Sequence, residues 1–72
     1  MPRGTDQTKL DALKRECTPL SVMGWPASGG WVIRGTLNDE KVIEVKAAAL
    51  GTAIQNFRDA FAKALQAGII KK

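Results

Sequence analysis

The chain has 72 residues, 44% apolar and 25% charged, a size and composition that suit one small globular domain and leave no room for a second. Eleven Lys+Arg stand against seven Asp+Glu for a net charge of +4, and there is no histidine, no tyrosine and a single cysteine. With no histidine and no clustered Cys or His, the usual residues of acid–base catalysis and metal coordination are missing, so the composition points to a non-enzymatic binding protein with no cofactor and no metal.

Residues 1–4 read as a short flexible lead. Thr5 or Asp6 then offers a side-chain acceptor for the free N–H groups of a helix start, and a helix is expected over residues 5–17. Leu10, Leu13 and Cys17 fall at i, i+3 and i+7 on one face, with Lys9, Asp11, Lys14, Arg15 and Glu16 around the rest. Pro19 ends the run by pushing the preceding residue out of the helical region. Cys17 lies on the apolar stripe with no histidine to activate it, which makes it a packing residue rather than a nucleophile.

Three strands are expected within residues 20–47. The first covers residues 20–25 and breaks at Pro26-Ala27-Ser28-Gly29-Gly30. The second alternates, with Trp31, Ile33, Gly35 and Leu37 on one side and Val32, Arg34 and Thr36 on the other. After Asn38, Asp39 and Glu40, the third places Ile43, Val45 and Ala47 on one side and Val42, Glu44 and Lys46 on the other. A three-residue loop over 38–40 sets Ile33 opposite Val45, Gly35 opposite Ile43 and Arg34 opposite Glu44; a two-residue loop would put Ile33 against Lys46. The three-residue loop is therefore expected, with Asn or Asp supplying the positive φ it needs. The adjacent Asp39 and Glu40 read as solvated turn residues.

A closing helix is expected over residues 52–67, because Thr52-Ala53-Ile54-Gln55 has the form of a capping box and Gly68 stands where a C-terminal cap belongs. Ala53, Ile54, Phe57, Ala60, Phe61, Ala64 and Leu65 make its apolar face, which should pack on the Trp31, Ile33, Ile43 and Val45 side of the sheet. Residues 68–72 follow as a basic tail ending in Lys71 and Lys72. The predicted fold is α+β: one domain over residues 1–72, α-β-β-β-α, a three-stranded antiparallel sheet packed by the C-terminal helix, with the N-terminal helix at the sheet's edge or on one face. Prolines and glycines break the uncharged stretch over residues 18–33, which is therefore not a membrane-spanning helix. The N-terminus lacks the apolar core of a signal peptide, and the lone cysteine agrees with a reducing compartment, so a soluble, cytoplasmic protein without membrane contact is expected.

Two uses of the sheet are in view. The glycines around residues 24–30 lack the Lys-Ser/Thr ending of a phosphate loop and read as a hairpin connection. If the strands pair around it, Trp25 and Trp31 lie opposite each other, Trp31 in the core and Trp25 a candidate for an exposed ring. The outward face is expected to carry Arg34 and Lys46 with Val22, Val32, Thr36 and Val42 between them. The first expectation is a nucleic-acid-binding or transcription-associated module. In it Arg34, Lys41 and Lys46 meet phosphates, the Lys71-Lys72 tail adds attraction, and Trp25 stacks on a base. The alternative is a protein-binding regulator that uses Val22, Trp25, Val32 and Val42, its charge matched to an acidic protein surface or its outward face closing a homodimer. A structural or assembly subunit ranks third.

The pattern of Gly30-Trp31-Val32-Ile33-Arg34, a turn, a second strand and Thr52-Ala53-Ile54-Gln55 opening a helix resembles the arm-type DNA-binding domains of tyrosine recombinases. The resemblance covers about half the chain and implies three strands backed by one helix, a sheet that enters the major groove, and Arg34 and Lys46 as the contacting residues. The order α-β-β-β-α also looks like the double-stranded-RNA-binding fold. That family has a lysine cluster at the start of its last helix, and the stretch here, Leu50-Gly51-Thr52-Ala53, is uncharged. In size and character the chain is further similar to small phage-encoded proteins that bind host enzymes such as RNA polymerase.

Overall fold

A computed structural model describes the backbone of residues 4–18 and 20–70, and the side chains among them from residue 7 onward. Helix α1 (Gly4–Glu16) is followed by strands β1 (Ser21–Ala27), β2 (Gly30–Leu37) and β3 (Glu40–Ala47) and by helix α2 (Leu50–Gln66). The strands form one antiparallel sheet in the order β1-β2-β3. This is the predicted α+β architecture and element order.

Strand register sorts the side chains into rows across the sheet, because alternate residues point to opposite faces. Val22, Gly35 and Ile43 form one row of the inner face, Gly24, Ile33 and Val45 the next, and Pro26, Trp31 and Ala47 a third. Both helices pack on this face. Leu10, Leu13 and Cys17 from α1 join Ile54, Phe57 and Phe61 from α2 over Val22, Ile33 and Ile43 in one core. Two glycines in the sheet make the seats: a methyl group at Gly24 would come within 2.6 Å of Leu10, and one at Gly35 within 2.5 Å of Phe57. Outside the core, Arg58 of α2 donates to Glu16 of α1 at 2.7 Å, tying the helices together at the surface.

The first hairpin is tighter than expected. β1 continues through Pro26 and Ala27, and only Ser28 and Gly29 turn, with Gly29 at φ 76°. Proline is tolerated there because β1 is an edge strand, where a missing N–H can face outward. Trp25 consequently pairs with Val32 and Pro26 with Trp31, so the two tryptophans lie on opposite faces rather than opposite each other. Trp31 is half-buried against the core.

In the second hairpin the expected register is observed, with Ile33 opposite Val45, Gly35 opposite Ile43 and Arg34 opposite Glu44. The loop that produces it differs. Leu37 pairs with Glu40, leaving a two-residue turn in which Asn38 and Asp39 both have positive φ, 55° and 66°. A register shift at Gly35 and Thr36, a bulge in β3, then supplies the extra residue. The primed turn matches the twist of the strands, and the bulge restores the pairing that keeps Ile33 and Ile43 in the core.

Helix boundaries shift as well. The described part of α1 starts at Gly4, ahead of Thr5 and Asp6, and ends at Glu16; residues 1–3 and Pro19 lie outside the described residues. α2 begins at Leu50, with Ala49 at its N-cap and no side-chain cap, so Thr52-Ala53-Ile54-Gln55 lies inside the first turns instead of capping them. Burying Leu50 is worth about 1.5–3 kcal/mol against about 1 kcal/mol for a side-chain cap, and the core wins. At the other end Gly68, at φ 76°, closes the helix as expected: its N–H donates to Leu65 at 3.2 Å and that of Ile69 to Ala64 at 3.0 Å. This closure turns the chain back so that Ile70 is 1% exposed, and the expected tail over residues 68–72 is in part core.

Candidate functional site

Among the described residues, no element of the fold covers the face of the sheet opposite the helices. Its rows are Ser21, Thr36 and Lys41 near the second turn; Met23, Arg34 and Glu44 in the middle; and Trp25, Val32 and Lys46 toward the first turn. Strand register places these side chains in rows, so their arrangement follows from the two hairpins.

The middle rows interlock. Arg34 Nε and Nη2 donate to Glu44 Oε2 at 3.0 and 2.7 Å, while the guanidinium carbon lies 5.2 Å from the centroid of the Trp25 ring. The Arg34 plane is thereby fixed between a carboxylate and an aromatic face, contacts that favour Arg over Lys. Lys41 approaches Glu44 Oε1 at 3.5 Å. The Arg34 hydrogen bond holds the Glu44 carboxyl below its ordinary range, opposed by partial desolvation and helped by the positive charges of Lys41 and Arg34. Val32 is buried although it belongs to the uncovered face and not to the helix-side core, being paired with Trp25 on one side and Lys46 on the other. Met23, in contrast, is 60% exposed. At the first-turn end the face runs into a groove of about 260 Å³ bordered by Ser28, Gly29, Val32, Lys46 and Ala48.

Of the residues anticipated for this face, Trp25, Val32, Arg34, Lys41 and Lys46 are on it. Val22 is not: its pairing with Gly35 turns it to the helices, where it is 5% exposed in the core. Val42 sits at the bulge and is half-buried against the core. Its place on the outward face was expected from an alternation that the bulge interrupts. Lys71 and Lys72 lie outside the described residues. Cys17 is 1% exposed among the core side chains.

Met23 and the clamping role of Glu44 were not read as functional from the sequence. The signal for Met23 was its i−2 spacing from Trp25 within the expected strand, but that these two share the face of Arg34 is decided by the pairing of β1 with β2. The single helix backing the sheet in arm-type domains is replaced here by two helices, and the uncharged start of α2 persists with its boundary at Leu50. No helix among the described residues is long and apolar enough to cross a membrane. Compared with protein-family models, curated proteins and solved structures, the chain has no match.

Proposed function

We propose that the protein is a non-enzymatic protein-binding module that docks an acidic partner surface on the helix-free face of its sheet. The observation that carries this reading is the cluster of Met23, Trp25 and Arg34, with exposed thioether, aromatic ring and clamped guanidinium side by side at the middle of that face. Met, Trp and Arg are the residue types enriched at protein interfaces and their energetic centres, and a side chain already held in its bound rotamer loses little entropy on binding. Around the cluster, Arg34, Lys41 and Lys46 share the face with the single carboxylate of Glu44, leaving a positive rim suited to an acidic partner.

A nucleic-acid interface uses the same face less well. The Arg34 guanidinium occupies one side of the Trp25 ring that a base would need for stacking. The protein-contact reading is kept with its residues changed: Met23 joins Trp25, Val32 is too buried on that face to offer contact surface, and Val22 and Val42 pack with the core.

The test is affinity capture with immobilised wild type, Met23→Glu and Lys46→Ala, run beside fluorescence anisotropy with labelled single- and double-stranded DNA and RNA. An acidic protein retained by the wild type, lost on Met23→Glu and bound with a reduced association rate by Lys46→Ala supports the reading. Nucleic-acid binding that persists at physiological salt, is insensitive to Met23→Glu and has a salt slope reduced by Lys46→Ala overturns it.

A further inference from the structure

We propose that the protein forms a symmetric dimer by antiparallel pairing of the open edge of β3 with β3 of a second copy, the twofold axis passing between the two copies of Val45. The sheet order leaves two strand edges, and each presents N–H and C=O groups that a further strand can use. β1 is a poor partner because Pro26 removes a donor from its edge. β3 runs eight residues without proline, and its one irregularity lies near its start, at the bulge.

Symmetry and charge then select the register. In a twofold antiparallel pair the facing residues must point the same way from their strands, which requires the axis to pass between the two copies of one residue. An axis at Glu44 sets that carboxylate against its own copy, and one at Lys46 does the same with two ammonium groups. An axis at Ile43 draws the bulge into the seam. An axis at Val45 places Glu44 opposite the partner's Lys46 and Lys46 opposite the partner's Glu44, both on the helix-free face. On the helix side the same axis puts Ile43 opposite the partner's Ala47 and Val45 opposite the partner's Val45. Edge lysines ordinarily discourage pairing, but in this register each becomes half of an ion pair.

Both halves of that pair have capacity for it. Glu44 Oε2 is filled by Arg34, but Oε1 has only Lys41 at 3.5 Å, and Lys46 is exposed with no ion pair among the described residues. Beside the same edge is a groove of about 450 Å³ lined by apolar side chains of β3 and α2, among them Val42, Ile43, Ala64 and Ile69, together with the charged Glu44 and Lys63. Ile69 is 66% exposed and, with Met23, makes up the exposed large apolar side chains among the described residues. The Val45 register brings Ala47 and Ala48 of the partner subunit alongside Ile43 and Val42 in that groove. The dimer does not depend on the proposed function: it leaves the Met23, Trp25 and Arg34 cluster of each copy open and draws only Lys46 of the positive rim into an ion pair, and the Val45→Cys crosslink tests it without touching that rim.

Sedimentation velocity and light scattering over a wide concentration range test the proposal, with circular dichroism to verify the fold of each variant. The wild type is expected to dimerise. Lys46→Glu replaces two attractive pairs by two repulsive ones and should raise the dimer dissociation constant about tenfold or more, and Glu44→Lys combined with Lys46→Glu should restore it to within about threefold. Because Glu44 also holds Arg34, a second variant leaves that pair alone. In Val45→Cys the two new cysteines stand about 4.5–5.5 Å apart between Cα atoms, inside the disulfide range, and should crosslink under mild oxidation while the wild type, with Cys17 buried, does not. A monomer at every concentration, an unchanged dissociation constant in Lys46→Glu, or oxidation that crosslinks Met23→Cys instead of Val45→Cys overturns the proposal.

Discussion

Replacing Gly35 with alanine probes how closely α2 is seated on the sheet. The added methyl would sit 2.5 Å from Phe57 Cζ and 3.0 Å from Leu20 Cδ1, where carbon atoms in ordinary contact keep about 3.5–4.0 Å. Phe57 is 0% exposed, so its ring cannot swing into solvent, and the overlap must be relieved by shifting α2 or the strand. Overpacking of this kind costs about 1–3 kcal/mol, and the confinement of the ring places Gly35→Ala in the upper half of that range. A domain of 72 residues has roughly 4–11 kcal/mol of stability in all, and each kcal/mol moves its melting point by about 4–8 °C. Gly35→Ala should therefore lower Tm by roughly 8–24 °C, a large effect for one methyl group. Phe57→Leu, which removes the atoms that collide, should cost about 1–2 kcal/mol alone. The double variant should be more stable than the sum of the two losses predicts, by about 0.5–3 kcal/mol. Urea unfolding followed by tryptophan fluorescence measures all four corners of the cycle at comparable m-values. Losses that add to within about 0.5 kcal/mol, or a Gly35→Ala protein as stable as the wild type, would refute the seat.

Two further outcomes rest on different parts of the molecule. Ile70, 1% exposed beyond the α2 cap, should behave as a core residue, with Ile70→Ala costing about 2–5 kcal/mol and Ile70→Val about 0.5–1.5 kcal/mol in the same unfolding assay; equal stability of all three proteins would place it outside the core. Glu44 has a folded-state pKa held below its unfolded value, chiefly by the Arg34 hydrogen bond. Its contribution is therefore present in full above the ordinary carboxylate range and is lost as pH falls through the lower folded value. The stability difference between wild type and Glu44→Gln should be flat near neutral pH and shrink on acidification through that window. A difference that stays constant down to strongly acidic pH would contradict the assigned pair.

Much of the fold was legible in local pattern. The alternation of Trp31, Ile33 and Gly35 against Val32 and Arg34, and of Ile43 and Val45 against Glu44 and Lys46, determined both the faces of the second hairpin and its register, because a one-residue slip would have buried Lys46. The apolar stripe through Ile54, Phe57 and Phe61 determined which side of α2 meets the sheet, and Gly68 marked its end. The Arg34–Glu44 pair of the candidate site followed from that register.

What the sequence left undecided depended on competition between distant groups. Local rules favoured a helix start at Thr52 and a three-residue loop over 38–40; the buried volume of Leu50 moved the first, and a primed turn combined with a bulge replaced the second. The facing of β1 was also out of reach, since Pro26 reads as a break until pairing with β2 makes the strand an edge. That one assignment sent Val22 to the core, put Trp25 and Trp31 on opposite faces and exposed Met23 beside Arg34. Alternation along a strand is a local property that the sequence carries by itself. Which face the helices cover, and hence which side chains remain for a partner, is decided only when Leu10 and Phe57 find the two glycines that let them approach the sheet.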